Sequence, residues 1–366
     1  MSALPETIKA LQILPDKTGV QVVTIPWASQ EKVQNLADNE IVVRVRAVGL
    51  NPTDWKHVFR VGKAGTIAGC DAAGDVVKVG SAVKHLKVGD RTAAFTYGSS
   101  HQTDNGAFAE YARFNAAVAF KLPEDMTYEE AASFPIPHLT AVQALYMRLG
   151  LPKPLTTPLN EKILIWGGSS AVGHHAVQLA KLSGLTVFVT GSPAVWDELK
   201  SIGADFTCDY KDPDIVSKIH AAAGPDGIIY GLDTIAGGGT VEKTIDAMSK
   251  TRGGKVITTL QISEEVAKRR ADVSAEFTLV YTEIGREIVF GSGQRLPAMP
   301  EDEARALEYV AHDQPKVLEG WKAGQGAPKF KAQRLRKLHG LENIQEGLKI
   351  MAEGNYGREK LVYTIA

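Results

Sequence analysis

The sequence predicts an α/β protein in which a β-rich first part is followed by a doubly wound parallel sheet. Three observations predict it. At 366 residues the chain is longer than one compact core ordinarily holds, so two domains are expected. Beyond residue 160, apolar strand-like runs ("KILIWG", "LTVFVTG", "DFTCDY", "DGIIYGLDT", "GKVITTL", "REIVFGSG") alternate with helical stretches such as "HHAVQLAKLSG", "VWDELKSIG", "DIVSKIHAAAG" and "TVEKTIDAMSK". Near-continuous apolar strands separated by helices belong to a parallel sheet covered on both faces. Finally, the first of these strands runs directly into "GGSSAVG" and then a helix, the order in which a nucleotide-gripping turn is built.

The elements follow in order. "EIVVRVRAVGLN" alternates apolar and polar residues at period two, as a half-buried strand does. "GDVVKVG" and "AFAEYARF" are similar short runs, and "KVGDR" between them supplies a turn in which Gly89 can take a positive φ. After Asp125, "TYEEAASFPIPHLTAVQALYMRLG" reads as helix, split in two by Pro135 and Pro137. Thr140 then starts the second half, where a threonine also serves as an N-cap. "LPKPLTTPLNEK" is a proline-rich connector, and the tail is a helix followed by a strand. These readings place one domain over residues 1–134 and 311–366 and the other over 135–310.

Composition narrows the function classes. Hydrophobic residues make up 44% and charged residues 23%, an ordinary globular balance. A net charge of −1 gives no global attraction to nucleic acid or anionic membranes. Only Cys70 and Cys208 are present, too few for a disulfide framework, and no stretch has a signal-peptide layout or membrane-spanning length. A soluble, cytoplasmic chain is expected.

In the turn, Gly168 and Gly173 fit the first and third glycines of G-x-G-x-x-G, while Ser170 stands at the middle position. Backbone N–H groups at the helix start favour a pyrophosphate, and a serine hydroxyl there can donate to a phosphate oxygen. An NAD site usually carries an acidic residue about 20 positions past the first glycine. Here "VFVTGSPAVW" offers Ser192 and no acid, which leans toward NADPH.

Taken together, "NPTDWK", "GCDAAGDVVKVG", "LKVGDR", "GAFAEYA", "AASFPIPHLTAVQAL", "GGSSAVG", "SPAVWDELKSIGAD", "CDYKD" and the terminal "GREKLV" give a chain-long resemblance. The chain resembles the medium-chain dehydrogenase/reductases, within them the zinc-independent quinone oxidoreductase branch, and most nearly the fungal trans-acting enoyl reductases that partner polyketide synthases. The resemblance implies a GroES-like β-domain, a Rossmann domain and NADPH-dependent reduction of an activated C=C bond. It implies cofactor contacts from Ser169, Ser170, Ala171 and Val172 in the turn, and from Ser192 and Tyr210 around the adenosine phosphate. Toward the nicotinamide it implies Leu260, Gln261, Thr53, Asp54, Lys56, Tyr356 and Gly357. Ala194 and Val195 depart from the polar or basic residues relatives often carry after the phosphate-binding serine.

Lys56 and Thr140 are the candidates for catalysis. No metal is expected: Asn51 and the Cys70-Asp71 pair stand where zinc-using relatives carry ligands, and no cysteine quartet exists. Cys70 is read as packed, and His174 and His175 as solvent-facing or packed. His138 is read as part of a structural turn, and the loop holding Tyr97 and His101 as able to border the substrate. The implied partner is a small or carrier-bound enoyl substrate, with a polyketide synthase as its source in the relatives resembled, and the chain a monomer or homodimer. Two rival readings stay open, alcohol/carbonyl interconversion and nucleotide binding without turnover.

Overall fold

The computed structural model describes residues 4–100, 105–290, 293–319, 321 and 330–365. The chain forms two compact units, one of Met1–Ile136, Tyr281–Gln325 and Ala332–Ala366, the other of Pro137–Val280 and Gly326–Lys331.

The first unit opens with an antiparallel hairpin of β1 (Thr7–Ile13) and β2 (Val20–Pro26). Then come β3 (Glu40–Gly49), β4 (Asp71–Val79), β5 (Arg91–Phe95), β6 (Tyr111–Asn115) and β7 (Ala119–Lys121). β3 is more buried than its alternation predicts because both its faces are covered, Val43 and Val45 lying in one hydrophobic cluster and Val42 in another with Ile8 and Trp27. Residues Val43, Val45, Val48, Ala72, Phe108 and Phe114 form the core on it.

Thr127 then caps the short helix Tyr128–Ala132, its hydroxyl accepting from the Glu130 N–H while the Glu130 carboxylate accepts from the Thr127 N–H. Pro135 and Pro137 mark the split expected of this stretch, which breaks at Ser133–Phe134 between helix Tyr128–Ala132 and the next one. They occupy the first turn of helix Pro135–Val142, where a missing N–H breaks no intrahelical bond. Thr140 therefore lies inside a helix and is not its cap.

The second unit is built on β8 (Lys162–Trp166), β9 (Thr186–Thr190), β10 (Phe206–Cys208), β11 (Tyr230–Asp233), β12 (Gly254–Thr258) and β13 (Val273–Phe277). All pair parallel in the order β10-β9-β8-β11-β12-β13. The order reverses between β8 and β11, the switch point at which doubly wound sheets bind ligands. Leu164, Phe188, Ile219, Ile245, Met248 and Val256 fill one face.

The sixth strand differs from the sequence reading. It is "VSAEF", an edge strand with mostly exposed side chains and hence no apolar run to betray it. "REIVFGSG" instead contributes β14 (Ile288–Val289), paired antiparallel with β15 (Arg295–Leu296) in a separate ribbon. The domain boundary differs too: residues 281–310 group with the first unit. The cause is local. Tyr281 packs on Phe95 and Tyr97, and the Asn115 amide donates to the Ile284 carbonyl and to Glu303. Finally β16 (Leu335–His339) and β17 (Lys360–Thr364) join the first unit's sheet, β17 pairing antiparallel with β3.

Candidate active site

At the switch point of the second unit, Gly167 takes φ +86°, the left-handed region a tight turn needs. A Cβ on Gly168 would overlap the Val189 side chain, and one on Gly173 the Gly167 carbonyl oxygen. The glycines thus let helix Ala171–Leu182 start hard against the sheet.

Ser170 caps that helix, its hydroxyl accepting from the Gly173 N–H at 2.9 Å. The same oxygen lies 2.8 Å from the Thr234 hydroxyl, which donates onward to the carbonyls of Trp166 or Gly167. With Thr234's proton so used, Ser170 donates to Thr234, and its hydroxyl is committed inside the protein. The groups left for an anion are the backbone N–H of Ala171 and Val172, unpaired by helix geometry, and the exposed Ser169. This cradle fits a dinucleotide pyrophosphate.

Because the strands are parallel, their carboxyl ends share one edge. Ser192 follows β9 there with a hydroxyl that makes no capping bond. Tyr210 follows β10 and is exposed, with Lys211 over its ring. Leu260 and Gln261 follow β12, both exposed, and the Leu260 carbonyl accepts from the Thr258 hydroxyl at 2.7 Å. Thr234, which ties the turn to β11, was not foreseen: it follows an ordinary strand and has no glycine signature.

Also in the second unit, Thr140 is 7% exposed and its hydroxyl makes no hydrogen bond among the described residues. His174 and His175 are buried and do not face solvent. His174 Nε2 meets the Lys331 carbonyl at 2.9 Å, and the Nδ1 atoms of His138 and His175 lie 3.2 Å apart.

In the first unit, Thr53, Asp54 and Lys56 share one turn, helix Pro52–Lys56. Asp54 is fully buried and closes the helix start, accepting from the Asn51 N–H at 2.7 Å. Its other oxygen is buried near Cys70 with no hydrogen-bond partner among the described residues, and desolvation raises its pKa to about 6. Lys56 is half-buried near the Trp55 ring, with no carboxylate partner among the described residues. Burial and then the Arg60 charge lower its pKa. Tyr356 packs on the core that Trp55 also covers, and Gly357 takes φ +65° in open space. Tyr97 packs at a tilt against Tyr281, while His101 lies outside the described residues. A groove of about 780 Å³ elsewhere in this unit, lined in part by Val83, His85, Leu307 and His312, holds none of these side chains.

Sequence reasoning missed Lys360, although it lies in the quoted "GREKLV". Its buried ammonium donates to Asn51 Oδ1 at 2.5 Å and sits 3.8 Å from Asp71 Oδ2. The Asn51 amide donates to that same Asp71 oxygen at 2.8 Å. Burial lowers the Lys360 pKa and raises that of Asp71, while their mutual attraction opposes both shifts. A zinc ion does not fit this set. An ammonium already neutralises the carboxylate, Asn51 turns its N–H to Asp71, and burial keeps the Cys70 thiol protonated. Among the described residues no three His, Cys, Asp or Glu side chains are grouped to hold a metal.

Comparison with known proteins bears on this geometry. Residues 37–124 match the alcohol dehydrogenase GroES-like domain and residues 171–283 the zinc-binding dehydrogenase domain. The chain is 36% identical to the trans-enoyl reductase ACTTS2 of Alternaria alternata, over 94% of this chain and 96% of the relative. It is 35% identical to the Saccharomyces cerevisiae protein YCR102C, over 90% of this chain and 94% of that one. The crystal structure of the CurK enoyl reductase superposes with a TM-score of 0.71 at 20% identity, covering 99% of this chain and all of that one. With its GroES-like and nucleotide-binding parts in this order, the chain belongs to the medium-chain dehydrogenase/reductase family and is an oxidoreductase that works with a nicotinamide cofactor.

Proposed function

We propose that this chain reduces the activated C=C bond of an α,β-unsaturated carbonyl, an enoyl thioester or an enone or quinone, with NADPH and without zinc. The observation that carries this reading is the identity with a trans-enoyl reductase over nearly the whole of both chains. The preference for NADPH is supported by Ser192 at the end of β9, where a hydroxyl and no carboxylate would meet a 2′-phosphate.

When bound, the reduced nicotinamide supplies a hydride to the β-carbon. The N–H groups of Ala171 and Val172, with Ser169, hold the pyrophosphate, while Ser192 and Tyr210 hold the adenosine phosphate. Leu260, Gln261, Thr53, Tyr356 and Gly357 line the nicotinamide end. Asp54 acts on that end only indirectly, by fixing the turn that carries Thr53 and Lys56. The Lys56 ammonium, partly desolvated and without a counter-charge among the described residues, donates to the carbonyl oxygen as enolate charge develops there, and Thr140 adds a second donor, a hydroxyl. Carrier-bound substrate from a polyketide synthase is the proposed source.

The test is NADPH oxidation followed with enoyl thioesters, enones, quinones and aldehydes. Turnover confined to the conjugated substrates supports the reading. Turnover confined to aldehydes replaces it with carbonyl reduction, and tight NADPH binding with no turnover points to a binding protein.

A further inference from the structure

We propose that Tyr281 is a positioning residue: its hydroxyl donates to Thr53 and thereby turns the Thr53 proton outward as a donor to the nicotinamide end of the cofactor. The inference rests on the reading above that Thr53 faces that end.

Tyr281 is the second residue of the turn Val280–Ile284, after β13, and its hydroxyl oxygen lies 2.9 Å from Thr53 Oγ1. Its other polar neighbour is Cys70 Sγ at 3.5 Å. The ring is held on two sides, tilted against Tyr97 with centroids 4.2 Å apart and edge-on to Phe95 at 6.0 Å. Tyr281 is 7% exposed, so the oxygen is aimed by packing and not by solvent. Two proton arrangements exist. In one, Thr53 donates to Tyr281 and Tyr281 donates to sulfur, a weak acceptor at long range. In the other, Tyr281 donates to Thr53, and the buried thiol of Cys70 donates to Tyr281. The second puts the Tyr281 proton on a hydroxyl oxygen 2.9 Å away and not on sulfur at 3.5 Å. It leaves Thr53, a half-buried residue with no other hydroxyl partner among the described residues, with a proton to give.

The experiment is a double-mutant cycle read as NADPH affinity by calorimetry. Tyr281→Phe keeps the ring on Tyr97 and Phe95 and removes one oxygen. Tyr281→Phe and Thr53→Val are each expected to weaken NADPH binding about fivefold, and the double variant no further than either alone. Thr53→Ser keeps the hydroxyl and the parent affinity, and loses it when combined with Tyr281→Phe. A purely structural tyrosine would lower the melting temperature and leave that pattern out. Losses that multiply in the double variant, or parent-like affinity in Tyr281→Phe, overturn the proposal while leaving the proposed function standing. A parent chain that takes up no NADPH overturns both.

Discussion

The glycine turn of the second unit and the buried polar cluster of the first are built on opposite principles. In the turn, the groups offered to a ligand lie within a few residues of Gly167, and they are chiefly backbone N–H groups. In the cluster, side chains far apart in sequence meet: the Lys360–Asn51 bond spans 309 residues, and the Tyr281–Thr53 bond 228. A backbone grip tolerates side-chain change as long as the glycines stay. A buried ionic cluster does not, because removing one member strands another without water.

That contrast is tested most sharply at Lys360. Lys360→Met leaves Asp71 and Asn51 buried without their cation and is expected to cost about 3–5 kcal/mol of unfolding free energy. Adding Asp71→Asn should recover much of it. Denaturant unfolding measures both, and a single variant as stable as the parent would break the idea of a tightly balanced cluster.

Lys56→Ala removes a charged donor without stranding a partner, so its effect should fall on turnover. We expect kcat/KM to drop about 100-fold, some 2.7 kcal/mol, with stability nearly unchanged. Equal kinetics would remove Lys56 from the site.

Asp54 gives the cluster a pH signature. Its carboxyl titrates near 3.8 when free and at about 6 in the fold, so between these values the native state binds more protons than the unfolded chain. Stability contributed by this group is therefore fully present below the lower value and is lost as pH rises to the upper one. Relative to Asp54→Asn, the parent should lose about 2 kcal/mol between roughly pH 4 and pH 7. A flat difference across that range would refute the assignment.

The turn calls for smaller numbers. Ser192→Asp should move the NADPH/NADH preference about tenfold toward NADH, near 1.4 kcal/mol, by repelling a 2′-phosphate. Unchanged preference would put the phosphate elsewhere. Ser170→Ala should cost about 1 kcal/mol of stability through the lost helix cap, with little change in cofactor affinity. A large affinity loss would instead make Ser170 a direct phosphate donor, as the sequence alone suggests.

How far the molecule could be read from its sequence depended on the range of the interaction. Five of the six parallel strands were visible because each is an apolar run bounded by turn residues. β13 was not, since an edge strand with exposed polar side chains carries no such pattern. Pro135 and Pro137 marked the helix break, but the second helix starts at Pro135 and not at Thr140, because a proline's effect depends on its position within the helix. The turn residues 168–173 were found by spacing, yet the commitment of the Ser170 hydroxyl was hidden, because its acceptor Thr234 lies 64 residues away. Lys56, Thr53 and Asp54 were picked out by motif, but nothing in "NPTDWK" indicates that the aspartate is buried and the lysine only half so.

By itself, the sequence determined the two-part architecture, the parallel sheet and the turn that opens its first helix. Periodicity, glycine and chain order act over one element or its neighbour and are written locally. Only the tertiary structure decided which side chains are neighbours across hundreds of residues. It brought Lys360 to Asp71, laid Tyr281 against Thr53 and moved residues 281–310 to the first unit. Burial and hydrogen-bond partnership are properties of the folded surroundings. The charge and reach of a side chain are settled only when those surroundings form.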